Sequence, residues 1–283
     1  MNAVEIRNLK KTLGEFTLDV DKLDIPKGYI TGFIGKNGSG KTTTIKLIMD
    51  LIFPESGEIK IFNKALRENE IELKSQIAYV GIESGYPPKL QLKKIKAMIS
   101  RFYPSWDNDL YEKYISKFDL NQKTLYKDLS SGKKKQFELC MALSHRPKLL
   151  IMDEPTVNLD PVVRNEFIDM LSEHLESGDM SVFYSSHITS DLEKSADYIY
   201  FIDKGKILLS GEKDTLLEKH RIVKGPNSLI NETTKQNLIG LKEAKFGFNA
   251  LTNNYREVFA TFGDEAIYER VCLEDLMIYY LKK

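Results

Sequence analysis

Cysteine is nearly missing from this chain: Cys140 and Cys272 are the only two in 283 residues. Two thiols so far apart in sequence exclude a disulfide framework and a cysteine metal pair, and imply a reducing compartment. Net charge is missing as well, with Lys+Arg and Asp+Glu each counting 41. A nucleic-acid-binding chain ordinarily carries a basic excess, so the balance removes the electrostatic case for that ligand. No run approaches ~18 consecutive apolar residues, so no segment reads as a membrane span. The first ten residues alternate polar and apolar and hold no apolar core of a secretory signal. A repeat of about 20–50 residues is also lacking, which excludes a solenoid or tandem array. The expectation is a soluble, intracellular chain.

What is present is enough for a packed core: 42% of residues are hydrophobic and 29% charged. At ~150 residues per domain the length suits two domains or one large one. Short apolar segments alternate with amphipathic ones, the pattern of an α/β fold. Val4–Leu9, Phe16–Leu23 and Gly57–Phe62 read as half-buried strands, while Tyr29–Ile34, Leu149–Met152 and Val182–Tyr184 are dense enough for the centre of a parallel sheet. Tyr198–Ile202 and Ile207–Leu209 flank a Gly-containing turn and read as a hairpin. Between about residues 85 and 146 the spacing becomes helical, through Ile95, Met98, Ile99 and Phe102, then Tyr111, Tyr114, Ile115 and Phe118. A boundary falls near His220. Beyond it the pattern weakens until a final apolar-periodic segment, Leu273–Leu281.

Gly35-Lys36-Asn37-Gly38-Ser39-Gly40-Lys41-Thr42 matches G-x-x-x-x-G-K-[ST] in full. Glycines let the chain fold back and aim successive N–H groups into one anion-binding hollow. Lys41 brings a mobile positive charge to the outer phosphates, and Thr42 a hydroxyl for Mg²⁺. A strand precedes the loop, and a helix carrying Thr43, Ile45, Ile48 and Ile52 starts within it, adding the positive end of its dipole. The expected ligand is a nucleoside triphosphate. No Asn-Lys-x-Asp segment is present to read guanine.

Leu149-Leu150-Ile151-Met152-Asp153-Glu154 is an apolar strand ending in two acids. Asp153 at the strand's C-terminal end is placed to hold Mg²⁺, and Glu154 to deprotonate an attacking water. Alone, the pattern equally fits a buried strand running into a polar turn at Pro155. The ordered set narrows this: Leu129-Ser130-Ser131-Gly132 precedes it, and Asn158-Leu159-Asp160 and Ser186-His187 follow. With these motifs the sequence resembles the ATP-binding subunit of an ABC transporter over about residues 3–217. The resemblance implies a P-loop NTPase core with an antiparallel β subdomain and a helical insertion. It divides the chain into an ATP-binding domain over 1–218, with the helical part at about 85–146, and a small α/β appendage over 219–283. It also implies that Leu129–Lys133 is the signature loop, with Ser130 and Gly132 on a γ-phosphate, that Asp160 belongs to the D-loop and that His187 is the switch histidine. Simpler readings stand beside these: Ser130 and Ser131 as caps of the helix through Lys135, Leu139 and Leu143, Asp160-Pro161 as N-cap and first helical residue, and Lys133-Lys134-Lys135 as a solvated helix face.

Three positions depart from the family pattern. The signature reads Leu-Ser-Ser-Gly-Lys rather than Leu-Ser-Gly-Gly-Gln. The Gln expected to link Mg²⁺ to the membrane partner falls at Ile82, leaving Glu83 as the nearest candidate ligand. The aromatic expected on the adenine falls at Leu13, so Phe16 is expected to take part of that contact.

The resemblance further implies two ATP-binding subunits meeting head to tail, as a homodimer or heterodimer, and separate transmembrane permease subunits. The location implied is cytoplasmic, on the inner face of the cell membrane. Phe102, Tyr103, Trp106, Tyr111 and Tyr114 supply aromatic residues for docking or for core. Arg101–Trp106, Asp160–Arg164 and Leu273–Tyr280 look most like ATPase subunits of bacterial peptide and antibiotic exporters, including those for phenol-soluble modulins. The competing class is an ABC ATPase acting on ribosomes or DNA. Translation factors of that kind carry two cassettes and the chromosomal relatives carry long coiled coils; this chain shows one P-loop and a short insertion.

Overall fold

The computed structural model describes residues 1–82, 85–157, 159–175 and 180–282. From the N-terminus, β1 (Asn2–Leu13) and β2 (Phe16–Pro26) form a long hairpin, followed by β3 (Ile30–Ile34) and α1 (Lys41–Ile48). Next come β4 (Ser56–Ile61), β5 (Lys64–Ala65), α2 (Glu70–Ser75) and β6 (Ile77–Val80). Three helices occupy the middle of the chain: α3 (Leu92–Ile99), α4 (Asn108–Lys117) and α5 (Ser131–Leu143). The chain then alternates through β7 (Leu149–Asp153), α6 (Pro161–Leu175), β8 (Ser181–Ser186), α7 (Thr189–Ser195), β9 (Tyr198–Asp203), β10 (Lys206–Glu212) and α8 (Lys213–Lys219). The last stretch holds β11 (Arg221–Gly225), α9 (Glu232–Lys235), β12 (Ile239–Ala244), β13 (Gly247–Thr252), α10 (Tyr255–Phe262), β14 (Ile267–Glu269) and α11 (Leu273–Tyr280).

Among the described residues the strands form three sheets, ordered β2-β1-β4-β5, β10-β9-β3-β8-β7-β6 and β12-β13-β11-β14. In the six-stranded sheet every pair from β9 to β6 is parallel and only β10 runs antiparallel. The dense apolar strands lie at its centre because both faces are covered. Alternate side chains of β7 enter different cores: Leu150 and Met152 face the helical side, and Leu149 and Ile151 face the β1–β2–β4 sheet. The C-terminal sheet has its own small cluster around Val223, Phe248 and Phe262. Ile222, Ile239 and Leu251 of the same sheet, with Leu273, Leu276 and Tyr279 of α11, join the main core that also holds Leu192 of α7. The Leu273 N–H donates to Glu193 Oε2 at 3.1 Å, and His220 Nε2 lies 2.9 Å from the Tyr280 hydroxyl.

One expectation about side chains is corrected, and an open alternative is narrowed. Lys135 is not on a solvated face: it is 9% exposed, and its ammonium donates inward to the Gly81 carbonyl. Of the five aromatics of the helical part, Tyr111 and Tyr114 are fully buried, Tyr103 stacks on the His145 ring, and the Trp106 indole tilts against Tyr111. Phe102 is the exposed one, at 74%.

Candidate nucleotide site

Strand order and register build the site. β8 lies between β3 and β7, with Ile34 level with Ser186 and Asp153 level with Ser185. Three chain segments therefore leave the sheet side by side at its C-terminal edge, where ligands of open α/β sheets bind. The first is the glycine loop. A Cβ on Gly35 would stand 2.5 Å from the Ile202 carbonyl oxygen, closer than any real Cβ contact. Gly40, which precedes α1, has a φ of 116°, a backbone that L side chains rarely adopt. No side chain caps α1, so its first N–H groups are left to an anion.

Lys41 is 5% exposed and folded back: its Nζ donates to the carbonyls of Gly35 at 2.7 Å and Lys36 at 3.2 Å, and lies 3.0 Å from Glu154 Oε1. Thr42 Oγ1 donates to Asp153 Oδ2 at 2.7 Å. Asp153 Oδ1 accepts from Ser185 Oγ at 2.6 Å, and Ser185 Oγ in turn accepts from the Glu154 N–H at 3.1 Å. Glu154 Oε2 accepts from the His187 N–H at 3.3 Å and lies 2.8 Å from His187 Nδ1. One chain of side-chain contacts thus joins Lys41, Glu154 and His187, a second joins Thr42, Asp153 and Ser185, and the Glu154 N–H to Ser185 Oγ bond links the two.

Lys41, Thr42 and Glu154 border a cavity of about 410 Å³ whose lining also includes Leu13, Phe16, Asn37, Gly38, Gly40, Thr43 and Ile82; Asp153, Ser185 and His187 are not part of that lining. Phe16 is half-buried against the core under the β1–β2 hairpin, whereas Leu13 is 45% exposed. Glu83 lies outside the described residues, as does Asn158. Ser130, Gly132 and Asp160 are not among the residues lining the cavity. Ser130 caps α5, accepting from the Lys133 N–H at 3.3 Å, and Asp160 Oδ1 accepts from the N–H groups of Val162 and Val163 at the start of α6. The two helix starts are neighbours, since a Cβ on Gly132 would lie 3.9 Å from Val163 Cγ1. Ser130 and Asp160 are both exposed.

Sequence reasoning missed Ser185, which ties Asp153 to the Glu154 backbone. Its signal was a Ser-Ser pair closing an apolar strand immediately before His187. Ile82 was read only as a lost ligand, yet it walls the cavity. A wider cleft of about 650 Å³ in the C-terminal sheet, near Lys224, Phe246 and Ile267, carries no comparable constellation.

The sequence profile of the family described as ABC transporter matches residues 18–157. The ABC transporter ATP-binding protein YtrB of Bacillus subtilis is 30% identical over 218 residues, covering 77% of this chain and 74% of its own. The bacitracin transport ATP-binding protein BcrA of Enterococcus faecalis is 31% identical over 222 residues, covering 77% and 71%. The lantibiotic transport ATP-binding protein SrtF of Streptococcus pyogenes is 32% identical over 213 residues, covering 75% and 91%. Among solved structures, an ATP-binding subunit of an ABC transporter superposes with a TM-score of 0.69 at 24% identity, over 76% of this chain and 92% of that one. The MJ1267 ATP-binding cassette gives a TM-score of 0.64 at 24% identity, over 75% and 92%.

Proposed function

The chain belongs to the ABC transporter family of ATP-binding proteins, and on that footing we propose that it is the Mg²⁺-dependent ATPase subunit of an exporter of peptides or antibiotics. The bacitracin and lantibiotic relatives support the cargo class. The observation that carries the chemistry is the convergence of Lys41, Thr42, Asp153, Glu154 and His187 on one edge of the sheet.

The residues fit Mg²⁺: a hydroxyl and a carboxylate oxygen 2.7 Å apart are hard donors, and phosphate and water complete such a shell. Thr42 and Asp153 would hold the ion, whose chemistry there is to neutralise charge between the outer phosphates. Ser185 fixes the Asp153 carboxylate by occupying its other oxygen. The glycine-loop N–H groups and the start of α1 bind the phosphates, and Lys41 swings from the Gly35 carbonyl onto the outer phosphate. That swing frees Glu154 Oε1 to accept the proton of the attacking water, while His187 holds Oε2. Phe16 offers a ring to the adenine, replacing the aromatic that Leu13 does not supply.

Exposed Ser130 and Asp160, away from their own cavity, suit a head-to-tail pair in which the signature loop of one chain closes the ATP site of the other. No helix among the described residues is long and apolar enough to cross a membrane. Transport then requires separate transmembrane subunits, with this chain on the cytoplasmic face of the membrane. Phe102, rather than Tyr103 or Trp106, is the aromatic available to them.

Phosphate release by the wild type and by Glu154→Gln tests the reading. The variant is expected to bind ATP normally and turn over about 10²–10⁴-fold more slowly. Wild-type turnover in the variant removes Glu154 as the base. Isolation of the tagged chain from detergent-solubilised membranes is expected to recover a multi-span partner; recovery of the chain alone contradicts the transporter assignment.

A further inference from the structure

Lys135 is the one lysine of the Lys133-Lys134-Lys135 run that is buried, and every proton of its ammonium has an acceptor. Nζ donates to the Gly81 carbonyl, to the Ile82 carbonyl at 3.4 Å and to Glu138 Oε2 at 2.8 Å. Glu138, 6% exposed, accepts on its other oxygen from the Tyr126 hydroxyl at 2.6 Å. Lys133 and Lys134 point elsewhere, to the Phe118 carbonyl and over the Tyr126 ring. A desolvated ion pair is costly unless its geometry and remaining hydrogen bonds are complete, and here they are complete. Its target is not another side chain but the backbone just after β6. Ile82, one of the two residues gripped, is a wall of the cavity that holds Lys41, Thr42 and Glu154.

We infer that Lys135 is a positioning residue for ATP hydrolysis. From α5 it clamps the Gly81–Ile82 backbone and so sets the apolar wall that Ile82 contributes to the cavity shared with Glu154. The inference rests on the reading of that cavity as the ATP site. Phosphate affinity comes from the glycine loop and α1, which Lys135 does not touch, so loosening the wall leaves binding intact. Water access and the aim of Glu154 depend on the wall, so turnover falls. The same clamp joins the cavity wall to the helix whose first turn carries Ser130 and Gly132.

The test uses the full chain, with nucleotide affinity from a fluorescent ATP analogue and kcat from phosphate release. Lys135→Met is expected to keep Kd within about twofold while kcat drops about tenfold, and Lys135→Arg, which reaches the same carbonyls, to recover most of the loss. Should Lys135→Met leave Glu138 too poorly paired to fold, Lys135→Met/Glu138→Gln removes both charges and keeps an acceptor for Tyr126; the same split is expected. A folded variant of either kind with wild-type kcat overturns the inference, as does a loss confined to Kd or to melting temperature. Wild type and Glu154→Gln run in parallel: no hydrolysis by the wild type, or full hydrolysis by Glu154→Gln, rejects the site itself. An active wild type, an inactive Glu154→Gln and an unaffected Lys135→Met reject the clamp alone.

Discussion

Glu154 holds a φ of 50°, a left-handed backbone that costs a non-glycine residue about 1–3 kcal/mol. It is kept there because its N–H is bound by Ser185 and its carboxylate lies between Lys41 and His187. Strain held by surrounding contacts is common where a side chain must be aimed, and Glu154 is the residue assigned to aim a water. Phe16, unlike Glu154, is expected to act where the chain departs from the family pattern, at the aromatic that Leu13 does not supply. Nucleobase stacking on an aromatic contributes about 1–3 kcal/mol in single-stranded nucleic-acid binders. Phe16→Ala is therefore expected to weaken ATP binding about tenfold, and Leu13→Tyr to tighten it. A fluorescent-nucleotide titration on protein checked by circular dichroism reads this, and unchanged affinity in a folded Phe16→Ala assigns binding to the phosphates alone. The glycine loop was legible in sequence because its chemistry is contiguous. Lys135 was misread because three lysines in a row suggest solvent. Yet helical spacing puts Lys135 on the stripe of Leu139 and Leu143, at i, i+4 and i+8, while Lys133 and Lys134 lie on other faces. In α5 every residue from Lys135 to Leu143 is buried, so Lys135 is where the helix enters the interior and the run of lysines ends inside it.

Among elements, the dense strands β3, β7 and β8 were readable because burial on both faces leaves no alternation to misjudge. Their order, which sets Asp153 beside Ser185 and both near Thr42, is a long-range property that no local pattern carries. Helices α3 and α4 were readable from period, but which aromatics they bury was not. The break between Phe102 and Trp106 resets the face, sending Tyr103 onto His145 while leaving Phe102 outside. His145 lies in the turn just after α5, and burial pushes its pKa down from 6.5 to about 4. The folded state therefore favours the neutral ring. Between about pH 6.5 and 4 the unfolded chain binds the extra proton, so stability is present above 6.5 and is lost as pH falls toward 4. Thermal melts of His145→Phe, which preserves a ring for Tyr103, are expected to show a shallower fall in Tm over that window than the wild type. Parallel curves contradict a neutral, buried His145.

For the molecule as a whole, the C-terminal sheet was the least legible part. Its β14 is three residues long, its β12–β13 pairing shifts register between Ile239 and Lys242, and α11 packs onto α7 rather than within its own sheet alone. Short strands and shared cores leave little periodic signal. That sharing places α11 against the helix that follows His187, so the C-terminal part and the edge of the proposed ATP site have common packing at Leu192. The proposed composite site belongs to this scale. One chain carries the glycine loop, Asp153 and Glu154 on one edge of its sheet, and the exposed starts of α5 and α6 outside its own cavity. In the proposed pair two chains would complete two sites, with ATP holding them together until it is hydrolysed. The light-scattering mass of Glu154→Gln with ATP and Mg²⁺ tests this most directly. The account predicts a shift from 32.5 kDa to about twice that value on adding ATP, reversed by removing the nucleotide. A protein that binds ATP and stays at 32.5 kDa contradicts it.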